Sequence, residues 1–103
     1  MILLQILLPL FRNDGRRFPS TYYAKVRSAL LKRFDGLTVY ARSPAQGTWR
    51  NGKENHKEQI IVYEIVAPKF ETAFWKKYRR ELERQFCQEE VMIRYNDIKM
   101  VPK

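Results

Sequence analysis

Hydrophobic periodicity divides this chain into strand, helix, strand, and then strand, helix, strand again. The two halves, each of about fifty residues, repeat in layout and not in sequence. Such an order allows few folds. Two helices must cover one face of a four-stranded sheet, and the residues of the other face become the main clue to function.

Ile2 to Leu10 is apolar on both faces, broken only by Gln5, as a central strand would be. Arg12-Asn13-Asp14-Gly15 is a turn signal. Pro19 and Ser20 mark a helix start, with Ser20 or Thr21 able to cap. Tyr22, Tyr23, Val26, Leu30 and Phe34 then share a side at helical spacing. Asp35-Gly36 ends that helix, with Gly36 expected in the left-handed region. Leu37 to Arg42 alternates as a half-buried edge strand, and Gln59 to Val66 reads as a second central strand with Glu64 as its one intruder. The second helix, about Phe70 to Gln88, lines up Phe74, Trp75, Tyr78, Leu82 and Phe86. Lys76, Arg80 and Arg84 form a basic stripe on it, and Lys77–Glu81 and Arg79–Glu83 are spaced as i,i+4 ion pairs. Val91 to Asn96 alternates as the last strand.

Between the middle strands lies Ser43 to Glu58, with a hairpin signal at Asn51-Gly52. An uninterrupted two-residue turn there would pair Val39 with Glu64 and set an apolar residue against a charge on one face. One extra residue corrects the parity, so a bulge or break is expected near 43–47.

The order resembles the ferredoxin-like superfold: an α+β two-layer sandwich, antiparallel sheet order 4-1-3-2, both helices on one face. The two strands central in that order are the two most apolar here. Arg42-Ser43-Pro44-Ala45-Gln46-Gly47-Thr48-Trp49, with Glu81-Leu82-Glu83-Arg84-Gln85-Phe86 and Gln88-Glu89-Glu90, also resembles a family of small uncharacterised bacterial proteins. That resemblance implies no activity, and the superfold hosts many unrelated ones.

The expectation is one domain over residues 1–103. A single cysteine, Cys87, fits a reducing compartment. The apolar start lacks a basic leader and is too short to span a bilayer, so a cytoplasmic protein without a membrane partner is expected. The net charge of +9 is uneven. Residues 1–53 carry ten Lys/Arg against two acids, and residues 54–103 carry ten against nine.

Alternation sends Leu4, Ile6, Leu8, Val39, Ala41, Ile61, Tyr63, Ile65, Val91 and Ile93 toward the helices. It sends Leu3, Gln5, Leu7, Tyr40, Arg42, Ile60, Val62, Glu64, Met92 and Arg94 to the open face. That second set is too apolar to face water alone, and a second copy, sheet against sheet, is its simplest cover. Gln5, Tyr40, Arg42, Glu64 and Arg94, with Trp49 on the connecting arm, are the ligand or interface candidates. Glu64 paired with an arginine would also serve merely to satisfy a buried interface.

His56 is the one histidine and sits in a polar loop, Cys87 lies near a helix end, and Glu89-Glu90 point apart; each reads as solvated or incidental. No metal site and no cofactor is expected. The leading expectation is a homodimeric binding or interaction protein with no self-evident catalytic machinery, using the open face and the 43–58 arm. A second reading is a basic protein holding nucleic-acid phosphates through Arg16, Arg17, Lys25, Lys32 and Arg33. Nucleic acid is the less favoured partner, because the central strands lack the open-face aromatics of sheet-face RNA readers. A third is a cofactor-free enzyme with a pocket around Tyr40, Arg42, Glu64 and Arg94.

Overall fold

The computed structural model describes residues 1–42 and 60–103, with Arg42 described by its backbone. The elements are β1 (Ile2–Pro9), α1 (Ser20–Arg33), β2 (Thr38–Arg42), β3 (Ile60–Ala67), α2 (Thr72–Gln85) and β4 (Met92–Asp97). The sheet is antiparallel with order β2-β3-β1-β4, the ferredoxin-like arrangement expected from the sequence. The apolar strands β1 and β3 occupy its centre.

The alternation in β1 is complete: Ile2, Leu4, Ile6 and Leu8 are buried toward the helices, while Leu3, Gln5, Leu7 and Pro9 are half-buried on the other face. Burying aliphatic side chains stabilises by about 1.5–3 kcal/mol each, so this period alone pins the strand's orientation. In the β2–β3 pair, Val39 faces Tyr63 and Thr38 faces Glu64. This register is one residue away from an uninterrupted hairpin at Asn51-Gly52, as the parity argument requires. The bulge or break expected near 43–47 falls outside the described residues.

Aromatic clusters join the helix layer at both ends. Phe86, at the end of α2, lies 5.1–5.7 Å from Phe18, Tyr22 and Tyr23 at the start of α1. Phe34, at the end of α1, stacks on Trp75 at 5.6 Å near the start of α2. The helices are therefore antiparallel. Arg33 adds a 2.8 Å ion pair to Glu71 and sits over the Phe74 ring at 3.9 Å. The Tyr23 hydroxyl donates to the Pro9 carbonyl at 2.6 Å, and the Tyr63 hydroxyl donates to the Tyr23 carbonyl at 3.3 Å, fastening α1 to the sheet. Val39 and Ala41 lie on the helix side as expected but remain exposed. A groove of about 390 Å³ separates the β2 edge from α1, with Arg27, Val39 and Ile61 in its lining.

Three local expectations are corrected. Pro19 occupies the N-cap of α1, and no Ser20 or Thr21 side chain caps it. Gly36 does not adopt positive φ, because the chain leaves α1 through an extended Phe34. Among the described residues, the left-handed positions are Gly15, in the Arg12–Gly15 turn, and Cys87 at φ 52°. Cys87 closes α2: its N–H bonds the Arg84 carbonyl at 3.3 Å, and the Gln88 N–H bonds the Glu83 carbonyl at 2.9 Å. This is a Schellman cap with cysteine where glycine is favoured. Of the two expected helical ion pairs, Arg79–Glu83 forms at 3.5 Å. Lys77–Glu81 does not form among the described residues.

Replacing Cys87→Gly removes the left-handed penalty at this cap. It should stabilise the fold by about 0.5–1 kcal/mol, read as a raised midpoint in urea unfolding.

Burial pushes the Tyr78 hydroxyl up to about 12, with Glu81 adding to the shift. Burial, reinforced by Tyr23 and Tyr78, also raises Tyr63. Both phenols are held neutral in the fold. Their stabilising contribution is complete below the ordinary tyrosine value near 10, and it is lost as pH climbs from there through the raised values. The free energy of unfolding should therefore fall from about pH 10 upward, and Tyr78→Phe should blunt that fall.

Candidate functional site

The registers lay the open face out in rows across the strands. One row is Thr38–Glu64–Gln5–Arg94, one residue from each strand in sheet order. The row on one side is Tyr40–Val62–Leu7–Met92, and the row on the other is Val66–Leu3–Asn96. A polar row thus crosses the sheet between largely apolar ones. Val62 is buried, whereas Met92 and Val66 are 54% and 40% exposed.

Gln5 is the hinge of the polar row. Its amide oxygen accepts from Arg94 Nε at 2.9 Å. Its amide nitrogen donates to Glu64 Oε1 at 2.9 Å and to the Tyr40 hydroxyl at 3.1 Å. The Tyr40 hydroxyl in turn donates to Glu64 Oε1 at 3.4 Å. Tyr40 lies diagonal to Glu64 across the β2–β3 pair, within a long side chain's reach. A neutral amide therefore holds a carboxylate on one side and a guanidinium on the other. Glu64 and Arg94 stand two strand spacings apart, about 10 Å, instead of joining as an ion pair.

This arrangement leaves Glu64 Oε2 and both Arg94 Nη groups without a hydrogen-bond partner among the described residues. A carboxylate beside a phenol can take a cation or a proton, and a guanidinium can grip a carboxylate or phosphate. Gln5, Tyr40, Glu64 and Arg94 are brought together as their shared face implied. Arg42 sits on the same face, opposite Ile60, and no more of it is described. Trp49 and His56 fall outside the described residues, as does the 43–58 arm. What alternation alone could not show is that Gln5 bridges the two charges, since row assignment needs the cross-strand register.

The other candidates are dispersed. Arg33 is engaged by Glu71, Arg12 lies over the Phe18 and Tyr22 rings, and Asp14 accepts from the Arg16 backbone within its turn. Arg16, Arg17, Lys25 and Lys32 are exposed. Among the described residues, no three His, Cys, Asp or Glu side chains gather as a metal site, and no helix is long and apolar enough to cross a membrane.

No family model matches the chain, and no curated protein matches it. Among solved structures it is similar to a phage SAM lyase in complex with S-methyl-5'-thioadenosine, at 18% identity and a TM-score of 0.62. The match covers 93% of this chain and 80% of that one. At this identity the likeness is one of fold.

The Gln5 bridge gives a measurable coupling. A double-mutant cycle between Gln5→Leu and Arg94→Met should return about 0.5–1 kcal/mol in urea unfolding, modest because Arg94 is exposed.

Proposed function

We propose that the open face binds a small molecule carrying both charges, in a chamber closed by a second copy of the chain. The observation that carries this reading is the Glu64–Gln5–Arg94 chain. It holds opposite charges apart on a sheet face where direct pairing would have cancelled them. The apolar rows on either side, with Leu3, Leu7, Val66 and Met92, supply the contact surface for the second copy. Arg94 takes the ligand's anionic end. Glu64 and the Tyr40 ring take its cationic end, where a carboxylate and an aromatic face both attract positive charge. Arg42 and Trp49 are further candidates for the chamber wall.

The fold neighbour suggests the first probe. S-adenosylmethionine carries an amino-acid carboxylate and a sulfonium centre, matching the two ends of the row. S-methyl-5'-thioadenosine lacks both charges. The Glu64 carboxylate and Tyr40 hydroxyl are also suited to moving a proton on a bound molecule, so turnover belongs to the same reading.

Isothermal titration should show S-adenosylmethionine binding more tightly than S-methyl-5'-thioadenosine. Glu64→Gln and Arg94→Met should each weaken it tenfold or more, about 1.4 kcal/mol. Light scattering should give a mass above that of the monomer. A monomer that binds neither compound, or variants that keep full affinity, would contradict the proposal.

A further inference from the structure

The net charge is partitioned by layer. α1 carries four Lys/Arg and no acid, and α2 carries five against two acids. The approach to α1, residues 12–17, adds three arginines against Asp14. These segments together hold +9, equal to the charge of the whole chain. The four strands hold Arg42, Glu64, Arg94 and Asp97 and sum to zero. Among these elements the strands are neutral, and the helices with the turn before α1 carry the positive excess.

Packing determines which of these cations are available. Arg33 is bound by Glu71, and Arg79 is 3.5 Å from Glu83. Glu83 also accepts from the Val91 backbone at 2.9 Å, so its charge is turned toward β4. Lys25 and Lys32 on α1, and Lys76, Arg80 and Arg84 on α2, are exposed and have no ion-pair partner among the described residues. The α2 cations follow at i, i+4 and i+8, in steps of about 6 Å along the helix. Because the helices are antiparallel and share one face of the sheet, both basic rows lie in one layer.

We infer that the outer surface of the helix layer docks a nucleic-acid backbone, apart from the open-face site. Phosphate contacts need cations and no apolar anchor. A helix lying in a membrane surface needs an outward apolar face, and on the described helices Leu31 is the only large apolar residue exposed. An acidic protein would be held best by aromatic anchors, and the helical aromatics here are turned into the core. The contact reads phosphates and not sequence, since these side chains track charge alone.

Fluorescence anisotropy with a short duplex DNA tests the inference. Binding should appear at low ionic strength and weaken steeply with salt. Lys25→Glu/Lys32→Glu and Arg80→Glu/Arg84→Glu should each flatten the log–log salt slope by about two, with circular dichroism unchanged. Arg94→Met on the open face should leave binding intact. No binding at low salt, or an unchanged slope in both pairs, would overturn the inference. So would equal displacement of the duplex by polyglutamate or by phosphatidylserine vesicles, which would assign the surface to an acidic protein or a membrane.

Discussion

The arrangement depends on the register of β1. This strand pairs with β3 on one side and β4 on the other, and every row of the open face passes through it. Its inward residues are buried, with Leu4, Ile6 and Leu8 fully inaccessible. Slipping β1 by one residue would drive Gln5 into that core and turn the aliphatic set outward. The core thereby fixes the place of the one polar residue on the strand. Through Gln5 it also fixes how Glu64 and Arg94 face each other.

From that constraint follows a division of labour between two faces. The helices spend their aromatic side chains on each other and on the sheet, at the Phe86 and Trp75 ends, and leave mostly polar and charged residues outside, with Leu31 the large apolar exception. The sheet's outer face keeps its aliphatics and one bridged polar row. A neutral face with apolar contact area and two opposed charges is suited to enclosing a small molecule. A helix layer with a positive excess is suited to long-range attraction of a polyanion. Neither property interferes with the other, because no residue serves both.

The face assignment was legible in the sequence because a strand's period of two is unambiguous when apolar and polar residues alternate. The hairpin parity was legible for the same reason: Glu64 could not share a face with Val39. The Gln5 bridge was less accessible, since sharing a face does not place three residues in one row; only the cross-strand register does so. Helix ends were the least legible. Gly36 carries the composition of a left-handed cap, yet the chain turns extended at Phe34. Cys87, with no composition signal, takes the left-handed position because the α2 cap geometry demands it.

The proposed binding centre of the open face is the Gln5 row. Two-dimensional NMR of the side-chain amide of Gln5 and the Nε–H of Arg94, titrated with S-adenosylmethionine, tests it most directly. Both signals should shift together and saturate, while the backbone amides on the outer surfaces of α1 and α2 stay in place. Shifts confined to the helices, with the Gln5 and Arg94 signals unmoved, would contradict it.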